Sequence, residues 1–164
     1  MSELEDREEI RQLIATYTIH GDRGRLEALA GVFAQDGVLE TSGWRAEGRA
    51  GIIEALSPRA DAPAREAAPG TRGPIVRHHL TTCLIEFQGP DEATGRTYWI
   101  NYSEKGADHS GLYADHYRRI EGRWQIAHRD VRLDWIAPDS WAGPENFAGP
   151  RPPDAPPLRV FRGA

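Results

Sequence analysis

Hydrophobic positions recur at two different periods along this chain, and the switch between them divides it into a helical first third and a stranded remainder. Ile10, Leu13, Ile14 and Tyr17 follow one another at intervals of three and four, the spacing of one helical face. Ser2 with Glu5 three residues on is a capping-box signature for its start, and Gly21 is a stop. Leu26, Leu29, Ala30 and Phe33 share the face of a second predicted helix, ended by Asp36-Gly37. Val38 to Thr41 reads as a short strand, turning at Ser42-Gly43 into a second one through Trp44 that Gly48 closes. Ile52, Ile53 and Leu56 predict a short third helix, stopped by Ser57-Pro58.

From Ser57 to Pro74 no periodicity survives, and Pro58, Pro63, Pro69 and Pro74 with Gly70 and Gly73 predict a long loop. Loops of this length in compact domains are usually functional, so it is expected to border the site as a mobile lid. Beyond it the pattern is that of strands. Arg77 to Phe87 ends at Gln88-Gly89-Pro90-Asp91, Arg96 to Ser103 is rich in aromatics, and Gly111 to Ile120 pairs with Arg123 to Trp135 across Glu121-Gly122. Seven of the twelve prolines fall in the last 27 residues, which excludes helix or inner strand there. The expected organisation is one domain over residues 1–137 with a proline-rich tail over 138–164. Helices followed by long antiparallel strands read as α+β, with helices packed on one face of a curved sheet. The space between them is the default place for a small molecule.

Composition narrows the function classes. At 164 residues the chain can bury a real core, with 39% hydrophobic and 27% charged residues. The net charge of -5 and the lack of a basic patch argue against nucleic acid as a partner. No run approaches the roughly 20 apolar residues of a membrane span, and the acidic start is unlike a signal peptide, so a cytoplasmic protein is expected. Cys83 is the single cysteine, which excludes an internal disulfide.

The candidate chemistry lies in His78-His79, at the start of the first long strand, and in Asp22, just after the first helix. A carboxylate against an imidazole fixes its tautomer and stabilises its protonated form, which is a general-base device. Successive strand residues face opposite ways, so only one of the two histidines can face the interior. Asp22 precedes a helix and is equally suited to cap it. Tyr17 and Asp22, five residues apart, lie about 140° apart on a continuous helix and converge only if it breaks near Gly21. Tyr113 and His116 lie on opposite faces of one strand, and Tyr113 is taken as the inward one.

Four segments carry a family resemblance: Ile10 to Tyr17 with Gly21-Asp22, Leu26 to Phe33 with Asp36-Gly37-Val38, His78 to Glu86, and Tyr113 to Tyr117 with Ile120 to Ile126. Together they resemble the nuclear-transport-factor-2-like superfamily, and within it the SnoaL-like branch that includes scytalone dehydratase and bile-acid 7-alpha-dehydratase. The resemblance implies a cone-shaped α+β fold, a mixed or antiparallel sheet wrapped around N-terminal helices, and a homodimer or higher oligomer formed through the sheet. It also implies a cofactor-independent, metal-free lyase or isomerase acting on a hydrophobic ring-containing small molecule. The family's Asp falls on Asp22 and its histidine, eight residues before Glu86, on His78; a register shifted by one selects His79. A dehydrochlorinase's lysine falls on Tyr17, which is compatible with dehydration. The expected site is therefore Asp22, His78 and Tyr17 for catalysis, with His79, Leu80, Thr82, Trp44, Trp99, Asn101 and Tyr113 around the substrate. A polyketide-cyclase-type aldol enzyme and a non-catalytic binding or dimerisation domain are the alternatives, since fold does not imply function.

Overall fold

The computed structural model describes residues 2–60, 76–138, 140 and 142. Helix α1 runs over Glu3–Gly21, α2 over Leu26–Ala30 and α3 over Gly48–Ala60. The strands are β1 (Phe33–Thr41), β2 (Arg45–Glu47), β3 (Arg77–Phe87), β4 (Glu92–Ser103), β5 (Gly106–Ile120) and β6 (Arg123–Ile136). They form one mixed sheet in the order β2-β1-β6-β5-β4-β3, in which β1 and β6 are parallel and every other pair is antiparallel. The fold is the expected α+β arrangement. Among the described residues no helix is long and apolar enough to cross a membrane.

The capping box forms: Ser2 backbone N–H donates to Glu5 Oε2 at 2.6 Å, and Glu5 N–H donates to Ser2 Oγ. Ile10 and Ile14 bury one face of α1 in the main core with Leu29, Phe33, Leu39, Ile52, Trp124 and Ile126. Polar ties fix how α1 lies on the sheet. Buried Asp6 accepts from Trp124 Nε1 at 3.1 Å and pairs with Arg119 at 2.6 Å, while Glu9 accepts from Trp124 N–H. The β5–β6 hairpin closes through Glu121 and Gly122, both at positive φ (52° and 76°), as a two-residue turn of this hand requires.

Several expected boundaries move, with β4 and β5 beginning earlier than the expected Arg96 and Gly111, at Glu92 and Gly106. The second helix stops at Ala30 and Phe33 opens a strand instead, because Phe33 pairs with Ile126 on β6 and gains more from sheet pairing than from one further helical turn. Helix α3 continues past Ser57-Pro58 to Ala60. A proline this near a C-terminus forfeits one backbone bond to the preceding turn and leaves little helix beyond it to disrupt. Residues 61–75, which hold most of the expected lid, lie outside the described residues, as does most of the 138–164 tail. Its first residues turn back over β5, with Ala137 N–H donating to Asp108 O and Ser140 Oγ bonded to Asp108.

Candidate functional site

Asp22 is the C-cap of α1, still in helical geometry (φ -59°, ψ -17°), with its N–H donating to Thr18 O. It caps no second helix: α2 begins four residues later behind Arg25, without a side-chain cap. Its carboxylate instead crosses to β3. Oδ1 lies 2.6 Å from His78 Nδ1, and Oδ2 accepts the His78 backbone N–H at 3.1 Å. One carboxylate thus holds both the strand and the ring. Asp22 is buried at 6% side-chain exposure while His78 keeps 23%, so the pair is shielded from behind and reachable in front. With Nδ1–H given to Asp22, the neutral ring carries its lone pair on Nε2.

Aromatic residues surround the imidazole. Trp99 meets it edge-on at 5.8 Å and stacks on Tyr113, which meets Tyr17, which in turn meets Phe33. Trp99 and Tyr113 form a second buried cluster with Leu133 and Ile136, against which Tyr17, Leu80 and Val131 pack. Burial raises the pKa of Tyr17 and, more strongly, of Tyr113, so both hydroxyls stay protonated and can donate hydrogen bonds. Asn101, fully buried, places Nδ2 3.4 Å from both ring nitrogens of His78.

Some expected residues stand elsewhere. Leu80 shares the inner face with His78, but Thr82 does not. Leu80 pairs with Trp99 and Cys83 with Thr97, three residues against two, so β3 carries a bulge that turns Thr82 to solvent and Cys83 inward. His79 points to the outer face, where its ring meets Tyr102 at 5.1 Å. Trp44 packs against the main core cluster rather than the one beside His78. Helix α1 does not break before Asp22, and Tyr17 is connected to His78 through the rings of Tyr113 and Trp99.

Two groups were not singled out from the sequence. Arg129 and Asp115, both with side chains fully buried, pair at 2.8 and 2.7 Å, and Tyr117 OH donates to Asp115 at 2.6 Å. Burial disfavours the charged guanidinium of Arg129, but the charge and hydrogen bonds of Asp115 more than offset it and raise its pKa. The guanidinium lies over the rings of Tyr17 and Tyr113, 4.2 Å from each centroid, and Nη1 has no partner. Alternation with Tyr113 and Tyr117 signals that Asp115 points inward. A bulge in β6 breaks the same signal for Arg129. The second group is His109 with Asp108, Nδ1 to Oδ2 at 2.7 Å, beside Trp99. A surface groove of about 390 Å³ lined by Glu9, Gln12, Thr16, Arg49, Arg123 and Trp124 lies apart from all these residues, and no histidine or cysteine lines it.

Comparison with known proteins bears on this arrangement. Residues 2–130 match the SnoaL-like domain family. The chain belongs to that family. A SnoaL-like chain of this kind has solved relatives of the same fold. A protein of unknown function from Mycobacterium tuberculosis is 31% identical, with 87% of this chain and 85% of that one covered at a TM-score of 0.66. A protein of unknown function with a cystatin-like fold from Nostoc punctiforme is 24% identical, covering 87% and 98%, at 0.70. The hexachlorocyclohexane dehydrochlorinase LinA-type3 from Novosphingobium barchaimii is 18% identical, covering 82% and 90%, at 0.68, a likeness of fold. No protein of curated function matches the chain.

Proposed function

We propose that this SnoaL-like protein is a cofactor-independent lyase or isomerase, dehydratase-like in its chemistry, acting on a hydrophobic ring-containing small molecule. The observation that carries the reading is the 2.6 Å contact between buried Asp22 and the half-buried imidazole of His78. A structural histidine has no need of a carboxylate that also clamps its own backbone N–H; a base that must not rotate does. In the proposed step Nε2 of His78 takes a proton from a ring carbon. The C–H pair forms a double bond to the neighbouring carbon as that carbon's C–O bond breaks. The imidazolium, held charged by Asp22, returns the proton to the departing oxygen as water leaves. In an isomerase the proton returns to another carbon instead.

Tyr17 would donate a hydrogen bond to a substrate carbonyl oxygen as negative charge grows there, with Arg129 behind its ring adding positive potential. Trp99, Tyr113 and Leu80 would pack against the ring. General acid–base help of this kind is worth roughly 10²- to 10⁴-fold, and positioning must supply the rest. The test is incubation of a panel of cyclic β-hydroxy ketones in D₂O, followed by proton NMR. Loss of water, or deuterium entry at the carbon next to the carbonyl, is expected with the unaltered protein and not with His78→Ala. Equal rates for the two proteins would overturn the proposal.

A further inference from the structure

The strand register places His78 opposite Asn101 and Asn101 opposite His109, a polar row across β3, β4 and β5, while Trp99 stands opposite Gly111. Trp99 and Asn101 share the inner face of β4, roughly 6.5 Å apart along the strand, beside the imidazole of His78. Each is held in one pose. The indole stacks on Tyr113 at 23° and lies over Gly111, where a Cβ would come within 2.9 Å of its ring. The Asn101 amide places Nδ2 3.4 Å from both ring nitrogens of His78. An amide oxygen in that place would face the lone pair of Nε2, so the oxygen is turned to the other side. Both side chains are buried, and each leaves one polar atom without a partner: Trp99 Nε1 and Asn101 Oδ1. Thr97, next on the same face, shows the ordinary solution, its hydroxyl donating to Cys83 Sγ at 3.4 Å. His109, at the far end of the row, is committed to Asp108 and takes no part.

We propose that Trp99 Nε1 and Asn101 Oδ1 are a donor–acceptor pair that selects a substrate ring bearing two oxygen substituents, at least one of them a hydroxyl. The pair rests on the reading of His78 as the base of the same site. An indole N–H can only donate and an amide oxygen can only accept. The ligand therefore brings a carbonyl, ether or hydroxyl oxygen to Trp99 and a hydroxyl proton to Asn101. Buried polar atoms without partners are rare in folded proteins and call for a group that completes them. A phenyl or leucine side chain would fill these places without stranding either atom. Both groups are neutral, and the wall around them is Tyr113, Leu80 and Leu133. A charged substituent would lose its hydration there and find no countercharge on either group, so neutral oxygens suit the pair. The two-residue step along β4 separates the substituents, which belong on different carbons of the ring system.

Four bicyclic probes of one shape test this on the full chain: tetralin, 1-tetralone, 6-hydroxytetralin and 6-hydroxy-1-tetralone. On the unaltered protein, ¹H–¹⁵N spectra read the Trp99 indole N–H directly, its signal assigned through the stacked ring of Tyr113. That signal is expected to move downfield with 1-tetralone and not with tetralin. Calorimetry then compares affinities. Trp99→Phe should lower the preference for 1-tetralone over tetralin about tenfold, the equivalent of one hydrogen bond. Asn101→Leu should lower the preference for 6-hydroxytetralin over tetralin by about the same factor. An indole signal that does not respond to 1-tetralone, an affinity ratio unchanged in either variant, or tetralin binding as tightly as 6-hydroxy-1-tetralone would each overturn the pair. Because His78→Ala should abolish turnover and leave the Trp99 indole response intact, failure of the base and failure of the pair give different results.

Discussion

At the scale of single residues, the carboxylate of Asp22 has two tasks and its substitutions separate them. Asp22→Asn can still accept the His78 backbone N–H, so the melting temperature should stay close to that of the unaltered protein. Turnover should fall by about 10²- to 10⁴-fold, because the imidazolium loses its countercharge. Undiminished turnover in that variant would remove Asp22 from the proposed mechanism. His78→Ala and His79→Ala should diverge in the same assay, the first inactive and the second active, since His79 stands on the outer face against Tyr102. His109 supplies a pH dependence of stability. Its folded pKa lies below the ordinary 6.5, so the unfolded chain binds more protons there and stability rises with pH. Its contribution is complete above about 6.5 and is lost as pH falls from there toward the depressed folded value. Denaturant melts at pH 7.5 and 5.0 should show a smaller loss in His109→Gln than in the unaltered protein.

Among the elements, β5 and β6 carry the strongest constraints, and two substitutions test them. The Arg129–Asp115 pair spans these strands with no exposed side-chain area. Removing one partner strands the other charge, so Asp115→Ala should cost about 3–5 kcal/mol by urea titration. Gly111 stands where a Cβ would lie 1.9 Å from Arg132 O and 2.9 Å from the Trp99 ring. No side-chain rotation can relieve a clash with backbone, so Gly111→Ala should destabilise by at least about 1–3 kcal/mol. It should also disturb the Trp99 wall beside His78, visible as a change in tryptophan fluorescence. A substitution that leaves both stability and fluorescence unchanged would mean the β5–β6 register differs from the one described.

For the molecule as a whole, the outer sheet face is the unfinished surface. Leu84 and Tyr98 are 52% and 53% exposed and Tyr102 is 39% exposed, spread along β3 and β4. A second copy covering this face is the economical way to remove it from water, and a homodimer through the sheet is proposed on that ground. Sedimentation should find a dimer at micromolar concentration and a monomer for Tyr98→Glu. A monomeric unaltered protein would refute the dimer.

Much of this molecule follows from local pattern. The stripe of Ile10, Ile14 and Tyr17, the Ser2–Glu5 box, the Glu121-Gly122 turn and the long strands were legible because each depends on residues within a few positions of one another. The pairing of Asp22 with His78 was also within reach, through resemblance to a family rather than through spacing, since 55 residues separate them. Other features had no local signal. The β3 bulge exchanges Thr82 for Cys83 on the inner face, and it exists only because β4 offers two residues where β3 supplies three. Phe33 leaves a helical stripe for a strand because Ile126, far along the chain, is there to pair with it. The row His78, Asn101, His109 likewise depends on the relative register of three strands, and a shift of one residue in any of them would turn its side chains to the other face. Periodicity determines which elements form and which of their faces is apolar. Register and bulges, set by contacts between distant segments, decide which polar side chains meet on that face.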